Sequence, residues 1–147
     1  MKNIVIFDLD GTLSDATERR RHLAATPPDW NSFYEELEQD PPIVPIADLY
    51  RSLCRDESYT VVILTGRPER YRSHTERWLE THKLPQRPIY FRPDDDNGHD
   101  LDVKKRVYHA LTANGDKVAF VVEDRNSVVQ MWRELGVVCL HCFDAPF

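Results

Sequence analysis

The feature that most constrains this chain is a set of short apolar runs separated by stretches of helical periodicity. The runs are Asn3–Phe7, Thr60–Leu64, Pro88–Phe91, Val118–Val122 and Val137–His141. Asn3–Phe7 is an unbroken Ile/Val/Phe segment, the pattern of a strand covered on both faces. Between the runs, apolar residues recur at helical spacing. Ile46, Leu49, Tyr50 and Leu53 follow Pro45, a favoured first helical residue. Tyr71, Thr75, Trp78 and Leu79 share a second face, and Val103, Val107, Ala110 and Leu111 a third. Val128, Val129, Trp132 and Leu135 make a fourth, stopped by Gly136. This alternation predicts an α/β fold with three layers, a Rossmann-like central sheet of five strands, mainly parallel, between helices. Repeats and Gly/Ser linkers are lacking, so residues 1–147 read as one domain.

Residues 15–42 interrupt the pattern as a small helical, cap-like insertion, closed by Pro41, Pro42 and Pro45. It carries Arg19-Arg20-Arg21-His22, then Trp30, Phe33, Tyr34 and Leu37 at helical spacing. That period favours core packing over a base-stacking platform. An insertion this short leaves the mouth beside it open, with Trp30 and Tyr34 as candidates to cover it. Arg20 and Arg21 read as a solvated helix face, and His22 as a packed or surface residue.

Composition excludes several classes. The 147 residues carry 19 basic and 25 acidic side chains, a net charge of −6, which disfavours a polyanion-coating role. Apolar runs fall short of the roughly 20 residues that span a bilayer. The N-terminal run is too short for a signal peptide and meets Asp8 at once. A cytoplasmic protein that does not engage membranes is expected, and nothing demands more than a monomer. Cys139 and Cys142 form a CxxC without a second pair, so they read as small apolar residues near a late strand, not as a metal or redox couple.

Parallel α/β sheets bind ligands beyond the carboxyl ends of their strands, and there the unusual residues fall. The first run ends in Asp8-Leu9-Asp10-Gly11-Thr12-Leu13, the second in Thr65-Gly66-Arg67, the fourth in Glu123-Asp124, and Lys104 opens the preceding helix. Asp8 and Asp10, joined by Asp124, would repel one another unless a cation lies between them. A hard cation such as Mg²⁺ suits a few carboxylates and several waters. A carboxylate in that setting can attack phosphorus, and a second can exchange the proton. Thr65 and Lys104 can donate to phosphoryl oxygens.

Asp8-x-Asp10-Gly11-Thr12-Leu13, Thr65, Lys104 and Glu123-Asp124 resemble, in order, the four motifs of the haloacid dehalogenase (HAD) superfamily. Nearly the whole chain resembles the 3′-phosphatase domain of phage-type polynucleotide kinase–phosphatases. The stretch Glu123-Asp124-Arg125-Asn126-Ser127-Val128-Val129-Gln130-Met131-Trp132-Arg133 carries that likeness, as do Arg92, Asp96, Asp100 and Lys104 at the family's spacing. So do Arg19, eleven residues after Asp8, and Arg67 after the second motif. The resemblance implies Asp8 as nucleophile and Asp10 as acid/base. It implies Mg²⁺ held by Asp8, the Asp10 backbone carbonyl and Asp124, with Glu123 behind them. It implies that Thr65 and Lys104 bind the phosphoryl group, and that Arg19, Gly66, Arg67, Arg92 and Asp100 complete the pocket. Two departures stand out: Glu123 replaces a frequent Asp, and Gly98 stands where the family usually has an arginine. No GxxxxGK[ST] phosphate loop occurs, so kinase activity is not expected.

The expected function is therefore a Mg²⁺-dependent phosphomonoesterase acting through an aspartyl-phosphate, with polynucleotide 3′-phosphatase as first reading. Its partners would be phosphorylated nucleic-acid ends or nucleotides. A phosphatase of free (deoxy)nucleoside monophosphates is the alternative, towards which the acidic net charge leans. A non-catalytic HAD-like binding protein is the remote one, disfavoured because Asp8, Asp10, Lys104 and Asp124 are all present. The run Asp94-Asp95-Asp96 reads as a solvated loop, and Asp100 as a cap of the Lys104 helix.

Overall fold

A computed structural model describes residues 1–145. Five strands form one sheet in the order β3-β2-β1-β4-β5, and every neighbouring pair is parallel. They are β1 (Asn3–Phe7), β2 (Thr60–Pro68), β3 (Ile89–Arg92), β4 (Lys117–Arg125) and β5 (Cys139–Ala145). The helices are α1 (Trp30–Glu35), α2 (Val44–Arg55), α3 (Arg72–Thr81), α4 (Asp100–Thr112) and α5 (Asn126–Glu134). The expected α/β architecture is what the chain adopts.

Side-chain alternation in β1 builds both halves of the core. Val5 and Phe7 pack with Ala47 and Tyr50 of α2 and Trp78 and Leu79 of α3. Ile4 and Ile6 face the other way, towards Val128, Met131 and Trp132 of α5, with Val107 and Leu111 of α4 alongside. β1 lies at the centre of the sheet, which is why it has no polar alternation.

β2 and β4 each run past the end of their apolar run, to Pro68 and Arg125. The added residues, Thr65-Gly66-Arg67 and Glu123-Asp124-Arg125, are polar and lie beyond the predicted apolar runs. Ion pairs of Arg67, Glu123 and Arg125 hold these stretches at the sheet edge. The pairing register also shifts within these stretches, between Leu64 and Pro68 and between Glu123 and Arg125. Strand backbone thus carries polar side chains to the sheet edge where the ladder loosens.

The insertion is pinned at its base, where Asp15 N–H donates to the Pro41 carbonyl at 2.9 Å and Ser14 bridges Pro42. Its aromatic stripe splits. Phe33 and Leu37 are buried, whereas Trp30 is 52% exposed. Cys139 packs in the α4/α5 half of the core and Cys142 against the α2/α3 half, so the CxxC straddles the sheet. Both thiols are pushed up to about 12, mainly by burial. Opposite faces and low acidity fit the reading as packing residues. Among the described residues no helix is long and apolar enough to cross a membrane.

Candidate active site

The adjacent carboxyl ends of β1, β2 and β4 bring Asp8, Asp10, Thr65, Arg67, Glu123 and Asp124 together, and Lys104 reaches them from α4. All but Asp10 are buried. Lys104 Nζ lies 3.1 Å from Asp8 Oδ1 and 2.8 Å from Glu123 Oε2. Buried ammonium and carboxylates need such partners, since unpaired charge in the interior is costly. Desolvation alone would favour neutral Lys104, but Asp8 and Glu123 outweigh it and hold the ammonium charged beyond its ordinary range.

One cation is not enough for three carboxylates. Burial raises the Asp8 carboxyl well above the usual range, and Glu123 and Asp124 add to that against Lys104. Asp124 is raised to about 6, by burial first and then by Glu123. Glu123 is lowered: burial opposes ionisation, but Lys104 and the backbone N–H of Arg125 overcome it. The cluster is short of positive charge at Asp8 and Asp124, not at Glu123.

That imbalance tests whether a divalent cation fits. Asp8, Glu123 and Asp124 each present a ligand atom within 4.8 Å of the others. Glu123 has already committed both oxygens, Oε2 to Lys104 and Oε1 to the N–H groups of Asp124 and Arg125 at 3.1 and 3.2 Å. Asp8 and Asp124 are joined by Thr12, whose hydroxyl reaches Asp8 Oδ2 at 3.1 Å and Asp124 Oδ1 at 3.3 Å. Gly11 makes the approach possible. Its φ is +86°, and a Cβ there would fall inside the Asp124 carboxylate. Two under-compensated carboxylates with oxygen donors and a hydroxyl between them suit a hard cation.

The raised Asp124 pKa has a measurable consequence without any metal. Asp124 binds its proton more tightly folded than unfolded, so its contribution to stability falls as pH rises from about 4 through about 6. Above that it opposes folding by on the order of 2 kcal/mol. In EDTA at pH 7.5, Asp124→Asn is expected to raise the melting temperature by about 5 °C. At pH 4 the gain should vanish. Thermal scans at pH 4 and pH 7.5 check this.

Asp10 is held by two arginines. Arg67 Nη2 and Nε lie 2.7 and 3.1 Å from its oxygens, and Arg19 Nη2 lies 2.5 Å from Oδ1. Burial opposes ionisation of Asp10, but the two guanidiniums prevail and push its carboxyl below the usual range. Arg19 and Arg67, expected to face substrate, thus have their charge on Asp10 in this state. Their side chains are 2% and 0% exposed, while that of Asp10 is 23% exposed.

Arg19 is itself held by a residue the sequence did not single out. Asp40 is buried and accepts from Arg19 Nε at 2.8 Å and Nη2 at 2.6 Å, and from the Ser14 hydroxyl at 2.5 Å. Trp78 donates to its backbone carbonyl at 2.9 Å. Asp40 ties the far end of the insertion to the site.

Arg92 and Asp100 form a second layer above Gly66. Asp100 pairs with Arg92 and, through Oδ2, with Arg125 Nη1 at 2.5 Å. Arg92 Nε also donates to the Gly66 carbonyl at 3.1 Å. A Cβ on Gly66 would stand 2.6 Å from Asp100 Oδ1, so only glycine admits the carboxylate. Asp100 is the first residue of α4 and spends its side chain on arginines, not on a helix cap. Thr65 Oγ1 accepts from Arg67 N–H at 3.1 Å. Of the acidic run, Asp94 and Asp95 are exposed, as expected of a solvated loop, while Asp94 accepts from Arg70 N–H and Asp96 pairs with Arg106. Arg20 corrects a second expectation. Its guanidinium lies 3.7 Å from Asp124 Oδ2, facing the cluster instead of solvent alone. Helical periodicity could not show this, because Glu18–Ala24 is a 3-10 segment, not an α-helix.

Comparison with known proteins agrees with this geometry. A sequence profile described as the polynucleotide kinase PNKP phosphatase domain matches residues 2–147. A protein of Autographa californica nuclear polyhedrosis virus, provisionally named a bifunctional polynucleotide kinase/RNA ligase, is 26% identical over 137 residues, 90% of this chain and 18% of its own length. Two solved structures of the Pnkp1/Rnl/Hen1 complex, one of them titled an RNA repair complex, contain chains 30% and 31% identical, with TM-scores of 0.83 and 0.84. Both cover all of this chain, which spans 44% and 48% of theirs. A haloacid dehalogenase-like hydrolase of Streptococcus pneumoniae, SP0104, shares the fold at 18% identity, with a TM-score of 0.58 over 95% of this chain and 84% of its own. The chain therefore spans less than half of the Pnkp1 chains and under a fifth of the viral protein. A match over nearly its full length places it in a family: it belongs to the HAD-type phosphatase domains of the polynucleotide kinase PNKP family.

Proposed function

We propose that this chain is a Mg²⁺-dependent phosphomonoesterase that removes the terminal 3′-phosphate from nucleic-acid ends through an aspartyl-phosphate on Asp8. One observation carries the reading. Asp8 pairs with Lys104 and shares a carboxylate cluster with Asp124 at a strand end, two residues from a partly exposed Asp10 gripped by two arginines.

An Asp8 carboxylate oxygen forms a bond to phosphorus while the bond from phosphorus to the 3′-oxygen breaks. The bonding electrons leave with that oxygen, which takes a proton delivered through Asp10. Water then attacks phosphorus, Asp10 accepts its proton, and the bond between phosphorus and Asp8 breaks to release phosphate. Asp10 as found here, a carboxylate held by Arg19 and Arg67, is in the form the second half-reaction needs. Delivering a proton in the first half requires that clamp to loosen, and an incoming phosphate dianion competes for both guanidiniums. Lys104 and Thr65 stabilise charge on the transferring group. Asp8, Asp124 and the Asp10 backbone carbonyl would hold Mg²⁺, whose charge lets anionic nucleophile and anionic phosphoryl group approach.

Free nucleoside monophosphates are the second reading. The net charge of −6 favours it, because a polymer track gains from excess basic residues. A substrate panel at fixed salt separates the two, comparing an oligonucleotide 3′-phosphate, the matching 5′-phosphate, and free 3′- and 5′-nucleotides. The 3′-phosphorylated oligonucleotide is expected to give the highest kcat/KM. A clear preference for a free nucleotide would replace the first reading with the second.

A further inference from the structure

Catalysis by Asp10 has a spatial corollary. A group that exchanges a proton with the leaving oxygen must lie on the leaving-group side of the phosphorus, within hydrogen-bond reach of that oxygen. Side chains at the exposed edge of Asp10 therefore face whatever the phosphate was attached to. The insertion supplies them. Arg19 joins Asp10 to α1 directly, one guanidinium nitrogen on Asp10 Oδ1 at 2.5 Å and the other on the Phe33 carbonyl at 2.9 Å. The same guanidinium lies 4.4 Å above the Phe33 ring.

The next residue, Tyr34, is half-buried. Its ring leans on Tyr71 at 5.2 Å and stacks with Trp30, one turn earlier, at 6.0 Å and 25°. Its hydroxyl sits in the field of Asp10, Asp100, Arg92 and Arg67, and among the described residues it forms no hydrogen bond. Burial, then those two carboxylates, keep the phenol neutral and able to donate. Trp30 is 52% exposed, unusually so for an indole. Phe33 packs on Tyr34 at 5.1 Å and Tyr34 on Trp30, so a ladder of aromatic rings runs from the Arg19 clamp on Asp10 to solvent.

We propose that Tyr34 and Trp30 are the seat of the leaving nucleoside, Tyr34 donating its hydroxyl to the sugar and Trp30 presenting its outer ring face to the base. This rests on the phosphatase reading above and adds to it which end of the substrate is recognised, and by what. Stacking tolerates all bases, so the seat selects nucleosides over other phosphate esters without reading sequence. It also lets a protein of net negative charge grip a nucleic-acid end by one base rather than along a basic track.

Two measurements test this. The first needs no turnover. Of the three tryptophans, Trp78 and Trp132 are buried at 1% and 0% exposure, so a solvent-side ligand quenches Trp30 selectively. Asp8→Asn protein is titrated with thymidine 3′-monophosphate and, separately, with inorganic phosphate. The nucleotide is expected to quench the fluorescence and phosphate alone is not, and Trp30→Phe in the same background should abolish the response. The second compares kcat/KM for two oligonucleotides, one ending in a 3′-phosphorylated nucleoside and one in a 3′-phosphorylated abasic sugar. The wild type should prefer the base-bearing end by about tenfold, the typical worth of one stacked base, and Trp30→Ala should bring the ratio near one. Tyr34→Phe should lower kcat/KM on both ends by about fivefold, the loss of one hydrogen bond. Absence of quenching, or an equal preference in wild type and Trp30→Ala, overturns the seat. Quenching by the nucleotide without phosphate release from either oligonucleotide overturns the phosphatase reading and leaves the seat standing.

Discussion

Asp8→Asn is expected to lower phosphate release by about 10⁴-fold or more, the scale on which removal of a covalent nucleophile acts. The variant should nevertheless fold. Asp8 is a liability to the metal-free fold, since burial and two neighbouring carboxylates oppose its charge against Lys104 and the Thr12 hydroxyl. The amide keeps the shape, and Lys104 keeps Glu123 at 2.8 Å. In EDTA the melting temperature should match or exceed that of the wild type. Loss of activity with gain of stability separates a functional residue from a structural one, because a misfolded variant loses both. Full activity in Asp8→Asn would remove the covalent mechanism.

Lys104→Met is expected to act in the opposite way on stability. It leaves Asp8 and Glu123 buried with no cation between them, and removal of one partner of a buried charge cluster typically costs about 3–5 kcal/mol. For a chain of this length that is a fall in melting temperature of about 10 °C. The loss should shrink at low pH, where the two carboxyls take up protons, and grow towards neutrality. Adding Glu123→Gln should recover part of it, whereas independent sites would give additive losses. Thermal scans of the single and double variants between pH 5 and 8 measure all three effects.

How much of this was legible in the sequence follows from what each residue depends on. Asp8, Thr65 and Asp124 were legible because a parallel sheet fixes where strand ends meet, and each stands just beyond an apolar run. Lys104 was legible through the spacing of the family motifs. Asp40 was not, because its role arises from the closing of a loop that brings it onto Arg19, a partner 21 residues away. Pairing of Arg19 and Arg67 with Asp10 was missed for a related reason. Sequence position shows that arginines approach the site, but not which anion they meet when no substrate is bound. Phe33 and Leu37 obeyed helical periodicity as core residues, while Trp30 and Tyr34, on the same stripe, did not. Trp30 opens α1, which is only six residues long, and its ring contacts are with Phe33 and Tyr34 of the same helix. The extra length of β2 and β4 was hidden as well, because the added residues are polar and lie beyond the apolar runs.

The most direct test of the account is phosphate release from a 3′-phosphorylated oligonucleotide by the wild-type chain. It is measured as purified with Mg²⁺, after exhaustive EDTA treatment, and after Mg²⁺ is restored. Turnover with Mg²⁺ is expected, with its loss on chelation and its recovery on restoration, and Asp124→Asn is expected to be impaired throughout. Undiminished release after complete metal removal, or no release from any phosphomonoester in the presence of Mg²⁺, would contradict the proposed function.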